Sequence, residues 1–152
     1  MYNADGMKIS QNIGRVLAID WGEKRIGIAI SDEMGMFARP FTIIKAGSYL
    51  ENAKQIVEIA DTQQVMLIVI GVTYYGSGEL SPSGRRADRL GEAIKRFSEI
   101  PVIHFNESRS TQEAKDIQIT IGSARNDRKG HLDSQAAAIF LQKYLDEECH
   151  HE

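Results

Sequence analysis

The order of apolar runs in the chain predicts an α/β fold on a mixed sheet. Three strand-like runs come first with only turns between them, and helix-spaced stretches then alternate with strands. The run at 65–70 has no polar alternation, as a strand covered on both faces requires. The resulting order is strand, strand, strand, helix, strand, helix, strand, helix, helix.

The first strand is Val16-Leu17-Ala18-Ile19-Asp20, followed at once by Trp21-Gly22. A tight turn leads to the second, in which β-branched Ile26, Ile28 and Ile30 share one face and small Gly27 and Ala29 the other. The small face suits close packing of a helix. The third strand is expected at 37–45, on an edge because Pro40 lacks a ladder donor. Ser48 with Glu51 forms a capping box for a helix that places Leu50, Ala53, Val57 and Ala60 on one face. After the strand at 65–70, the Gly/Ser/Tyr-rich stretch 71–84 reads as a long loop of functional length. The next helix buries Ala87, Leu90, Ile94 and Phe97. A short strand runs to Asn106-Glu107, and Ser110 with Glu113 caps a helix that stops near Gly122. The final helix carries Asp133, Ala137, Phe140 and Tyr144 on one stripe.

Composition narrows the function classes. A chain of 152 residues suits one domain, and such a domain buries roughly 70% of the surface its unfolded chain exposes, so folding needs no staple. We expect a domain over 14–147, a flexible extension at 1–13 and a flexible tail at 148–152. The single cysteine, Cys149, excludes a disulfide framework or paired-thiolate zinc site. The neighbouring His150 and His151 are read as a solvated end. No apolar leader core and no run of 18 or more apolar residues is present, so a cytoplasmic protein with no membrane association is expected.

Three acids end or begin elements. Asp20 closes the first strand, Glu107 closes the last strand, and Asp133 opens the final helix. Asp20 alone would be read as ordering the turn before Gly22. In an open sheet, however, the carboxyl ends of parallel strands lie along one edge, where α/β folds bind ligands, and Asp20 and Glu107 would converge there. Asp133 would be carried to the same cleft by the helix stripe that packs on the sheet. Lys24 and Arg25 follow Asp20, Arg85, Arg86 and Arg89 open a helix, and Arg125, Arg128 and Lys129 precede Asp133. The net charge of −3 argues against indiscriminate nucleic-acid binding, but basic groups beside an acidic edge suit phosphate contacts.

The strand-first order resembles the ribonuclease H-like fold, a five-stranded mixed sheet with helices on both faces. More narrowly, Ile19-Asp20-Trp21-Gly22-Glu23-Lys24-Arg25-Ile26-Gly27-Ile28-Ala29-Ile30-Ser31-Asp32 resembles the opening motif of the YqgF (RuvX) family. The likeness continues through Ile70-Gly71, Arg85-Arg86, Glu107 with Ser110-Thr111 and Glu113-Ala114, and Asp133 with Ala136-Ala137. It implies a nuclease that matures the 5′ end of precursor 16S ribosomal RNA, with Asp20, Glu107 and Asp133 as catalytic, metal-binding carboxylates. Precursor ribosomal RNA, and ribosomal particles that carry it, are the implied partners. Two departures stand out. The family's usual Asp-Glu-Arg-Leu string is Asn106-Glu107-Ser108-Arg109 here, and its Gly-Leu-Pro string is Gly71-Val72-Thr73. Arg109, shifted by one position, is expected to reach a substrate phosphate with Lys24, Arg25, Arg85, Arg86 and Arg89.

Three carboxylates suit phosphodiester hydrolysis because two Mg²⁺ or Mn²⁺ ions held about 4 Å apart activate water on one side of the phosphorus and stabilise the leaving oxygen on the other. His104 is expected to be a core or hydrogen-bonded residue rather than a base, and Trp21 a packed turn aromatic. Two other classes fit the same pattern: a noncatalytic RNA- or ribosome-binding factor, and a Holliday-junction resolvase acting on DNA. Asp20-x-Gly22 is also similar to the first phosphate motif of the sugar-kinase, Hsp70 and actin ATPases, but one domain cannot close around a nucleotide as their paired domains do.

Overall fold

A computed structural model describes residues 14–106 and 129–149, with side chains at 14–106 and 134–148. Strands β1 (Arg15–Trp21), β2 (Arg25–Ser31) and β3 (Ala38–Lys45) come first. Helix α1 (Tyr49–Thr62), β4 (Val65–Val72), α2 (Pro82–Lys95), β5 (Val102–Asn106) and α3 (Lys129–Cys149) follow. The sheet order is β3-β2-β1-β4-β5. Turns make β2 antiparallel to both β1 and β3, whereas the helical crossovers make β1, β4 and β5 parallel. This is the mixed five-stranded sheet expected from the sequence.

Strand alternation divides the core in two. Leu17 and Ile19 of β1, Ile26, Ile28 and Ile30 of β2, and Ile68 and Ile70 of β4 pack with Ala53, Ile56 and Val57 of α1 and Ala87, Leu90 and Ile94 of α2. On the other face Val16, Ala18, Ala29 and Val69 meet Ala137, Phe140, Leu141 and Leu145 of α3. Ala18 lies opposite Ala29 in the register, so the centre of that face has no bulk and α3 lies close across β1, β2 and β3. Phe105 of β5 completes this side, stacking on Phe140 with centroids 5.8 Å apart and meeting Tyr144 edge-on at 6.0 Å.

Polar anchors fix the connections. Pro40 lies on the edge strand as expected, beside an irregularity where Ile28 pairs with Thr42 and Ala29 with Pro40, leaving Phe41 as the extra residue. Gln142 of α3 accepts the Ala38 amide at 2.8 Å and donates to the Met36 carbonyl at 2.9 Å, tying the helix to the start of β3. In the β2–β3 turn, Asp32 Oδ1 accepts the amides of Met36 and Phe37 at 2.8 and 2.9 Å. Desolvation acts to raise the Asp32 pKa, but the backbone donors outweigh it and hold the carboxyl below its ordinary value.

Several element boundaries differ from expectation. β3 begins at Ala38, not at 37, and Phe37 is 68% exposed. Leu50 is exposed on the first turn of α1, whose inward face is Asn52, Ala53, Ile56, Val57 and Ala60. β4 extends to Val72 and α2 starts at Pro82, so the connection is only 73–81. An antiparallel bridge between Tyr74 and Leu80 closes it. Phe97 lies past the end of α2 and is exposed. α3 continues to Cys149. The helix expected from Ser110 to Gly122 and the extension at 1–13 lie outside the described residues.

Candidate active site and nucleic-acid interface

The register collects one edge of the sheet. Trp21 at the end of β1 pairs with Ile26, Arg25 at the start of β2 pairs with Lys45, and Val72 at the end of β4 pairs with Asn106 at the end of β5. The carboxyl ends of the three parallel strands therefore lie beside the β1–β2 turn. The short 73–81 connection brings the start of α2 to the same edge, where Arg86 Nη1 donates to Glu23 Oε1 at 3.2 Å. The sharpness of the β1–β2 turn depends on Gly22, since a Cβ there would sit 2.5 Å from the Arg25 carbonyl oxygen. At the other corner, Gly84 would place a Cβ 2.5 Å from the Thr73 carbonyl oxygen, so a side chain would push α2 from the loop. Ser81 caps α2 by accepting the Gly84 amide at 3.0 Å, and its hydroxyl closely contacts that of Thr73.

Asp20 has the parity of Val16 and Ala18, which places it on the α3 face, half-buried and opposite Gly27. The glycine across the ladder presents no side chain of its own to the carboxylate. The helix carrying Asp133 packs on the strand carrying Asp20, and Asp133 lies in its early turns, next to buried Ser134. The Asp133 side chain, Glu107 and Arg109 lie outside the described residues, and β5 ends at Asn106, one residue before Glu107. Among the described residues, no group of three or more His, Cys, Asp or Glu side chains is placed to hold a metal ion.

The structure brings most of the basic residues to this edge. Lys24 and Arg25 line a shallow cleft with Ile43, Ile44 and Lys45. Arg85 donates to the Leu80 carbonyl at 3.2 Å, Arg86 reaches across to Glu23, and Arg89 is exposed one turn beyond Arg85 on α2. His104 sits in β5 with Nε2 3.1 Å from Asp88 Oδ1, on the side of the sheet away from Asp20, as expected of a hydrogen-bonded histidine. Trp21 is a packed turn aromatic, stacked on Tyr49 with centroids 5.6 Å apart.

Sequence reasoning missed Lys45, Tyr49 and Asn52. Asn52 is buried in α1, accepts the Gly47 amide at 2.8 Å and donates to the Lys45 carbonyl at 3.0 Å, which pins the β3–α1 connection to the edge. A polar residue adjoining Ala53 on the inward stripe of α1 was the available signal. Among the described residues, no helix is long and apolar enough to cross a membrane.

Sheet order and helix placement together define a ribonuclease H-like α/β fold, with Asp20 at the carboxyl end of its central strand β1. Solved structures share that fold. Thermus thermophilus RuvC in complex with a Holliday junction substrate superposes with a TM-score of 0.53 at 15% identity, covering 88% of this chain and 94% of that one. The fowlpox virus resolvase in complex with junction DNA gives 0.50 at 14% identity, covering 86% and 98%. The family model described as "RuvX: Holliday junction resolvase" matches residues 14–147, and the chain belongs to that family. A relative from Caldanaerobacter subterraneus, named "Putative pre-16S rRNA nuclease", is 36% identical over 133 residues, covering 87% of this chain and 96% of its own. One from Endomicrobium trichonymphae with the same name is 37% identical over 135 residues, covering 88% and 96%.

Proposed function

We propose that the protein is a divalent-metal-dependent nuclease that hydrolyses phosphodiester bonds of precursor 16S ribosomal RNA, at its 5′ end. The observation that carries the reading is the placement of Asp20: a half-buried carboxylate on the α3 face at a strand end, followed in the β1–β2 turn by Lys24 and Arg25. Family membership and the names of the relatives point the same way.

A hard oxygen donor at a strand end, opposite a glycine, fits Mg²⁺ or Mn²⁺, which keep several waters and need few protein ligands. Asp20 would hold the metal with Glu107 and Asp133. The ions, two in this reading, would supply Lewis acidity at the scissile phosphate. The chain's own contribution is positioning. β1 and α3 would carry Asp20 and Asp133, while Lys24, Arg25, Arg85, Arg86 and Arg89, joined by Arg109, hold the strand by its phosphates.

A second reading, a resolvase of four-way DNA junctions, is favoured by the family description and by the junction-bound neighbours. Incubating the protein with labelled precursor 16S RNA, matched single-stranded DNA and a four-way DNA junction, with and without Mg²⁺ or Mn²⁺, separates the two. We expect metal-dependent cleavage of the RNA. Cleavage confined to the junction would replace the first reading with the second. Binding without cleavage of any of them would leave a noncatalytic RNA-binding factor.

A further inference from the structure

Beside the acidic edge, on the face of the sheet away from Asp20, lies an open cleft of about 510 Å³ lined by Trp21, Glu23, Gly47, Ser48, Tyr49 and Arg86. Its walls are prearranged. The Trp21 and Tyr49 rings are stacked at 27°. The Gly47 amide is tied to Asn52, and Ser48 Oγ accepts the Glu51 amide at 3.1 Å, leaving its own O–H to donate. Arg86 and Glu23 pair across the cleft, with side chains 45% and 80% exposed. The Trp21 indole Nε1 is buried without a hydrogen-bond partner among the described residues, so a ligand in the cleft meets the ring and not this donor.

Two stacked rings, a guanidinium and a hydroxyl match the parts of one nucleotide: a planar base, a phosphate and sugar oxygens. Building on the nuclease reading above, we propose that this cleft is a subsite for one unpaired nucleotide of the bound strand, with its base against the Trp21–Tyr49 pair and its phosphate on Arg86. Glu23 is the gate. It neutralises Arg86 in the free protein and is displaced by the phosphate. An exposed ion pair is cheap to break, and a phosphodiester offers the guanidinium two oxygens where Glu23 meets it through one, at 3.2 Å. A base inside a duplex is stacked on its neighbours and cannot reach the rings, so the site selects unpaired segments. Because Asp20 and Trp21 are successive residues of β1 on opposite faces, the subsite lies directly beside the proposed cutting position.

Trp21 is the chain's single tryptophan, so its fluorescence reports on the cleft alone. The full chain in Mg²⁺ is titrated with phosphorothioate-linked RNA of about a dozen nucleotides, a span typical of single-strand grooves. One probe is single-stranded and the other a blunt duplex of the same sequence, and anisotropy of a dye on the RNA follows total binding in parallel. We expect the single strand to change Trp21 emission at concentrations about tenfold below the duplex, the discrimination that stacking one base supplies. Glu23→Gln should tighten single-strand binding about threefold, and Arg86→Ala should weaken it about fivefold. Glu58→Gln, which removes an exposed acid elsewhere on α1, is the control for net charge and should do neither. All three sites are exposed, so the variants keep the fold. Binding by anisotropy with unchanged Trp21 emission, equal response to strand and duplex, or Glu23→Gln behaving as Glu58→Gln would overturn the subsite while leaving the nuclease reading intact. Absence of any binding would overturn both.

Discussion

The two faces of the sheet are built differently, and adjacent residues show it. Ile28 and Ala29 are successive in β2 and both fully buried, yet Ile28 packs under α1 and α2 in a bulky aliphatic layer while Ala29 lies under α3 in a layer of small residues. Asp20 and Trp21 repeat the contrast at the end of β1. The small-residue face brings a helix close and ends in a carboxylate; the aliphatic face ends in an aromatic wall. Under the proposed function, a strand's period of two would separate cutting from holding within a single dipeptide.

The largest effect expected on this contrast is at Asp20. Asp20→Asn keeps the shape and removes an anionic metal ligand, so cleavage should fall by about a thousandfold or more, as loss of several kcal/mol of charge stabilisation implies. Thermal melting and single-strand binding should stay near wild type. Glu107→Gln and Asp133→Asn should behave alike; an Asp133→Asn protein that melts lower yet cuts at the wild-type rate would leave Asp133, inside α3, with a structural role only.

Next come the two layers themselves. Ile28→Ala should cost about 2–5 kcal/mol by leaving a cavity, read from denaturant unfolding. Ala29→Leu should cost about 1–3 kcal/mol by overpacking and should also lower cleavage, because it pushes away the helix that carries Asp133. Should Ala29→Leu be neutral in both measurements, α3 is not held close by the small face and the contrast fails.

The basic edge should respond more mildly. Replacing Arg85, Arg86 and Arg89 by Ala should weaken binding across sequences and flatten the dependence of log affinity on log salt by roughly 0.7 for each single-strand phosphate that is no longer neutralised. An unchanged slope would mark these groups as solvated surface. Arg109→Ala should lower cleavage efficiency with little change in melting temperature, whereas Ser108→Ala should do neither.

The smallest effect lies in the β2–β3 turn. The folded-state pKa of Asp32 is depressed, so its contribution to stability is present above the unfolded value and is lost as pH falls through the folded one. Asp32→Asn should therefore lower the melting temperature at neutral pH, and the gap to wild type should narrow in acid. A gap that stays constant with pH would assign the loss to turn geometry rather than to charge.

Local pattern sufficed for much of the protein. Alternation of Ile26, Gly27, Ile28, Ala29 and Ile30 announced both faces of β2, Pro40 announced an edge, and the polar-free run starting at Val65 announced a strand covered on both sides. These are short-range consequences of backbone period and missing donors, so they are written in neighbouring residues. The family likeness, carried by the motif around Asp20-Trp21-Gly22, was legible for the same reason. Helix burial was less so: Leu50 and Phe97 are apolar at helix ends, where the neighbour that would cover them is set by chain packing and not by spacing. The cleft beside Trp21 was decided only in three dimensions. Glu23 meets Arg86 across 63 positions, Gln142 meets Ala38 across 104, and Tyr49 reaches Trp21 because Asn52 holds the β3–α1 connection in place. Each contact uses at least one side chain whose local sequence says only that it is polar or aromatic. Their partners are chosen by the sheet order, which long-range burial of the apolar faces determines.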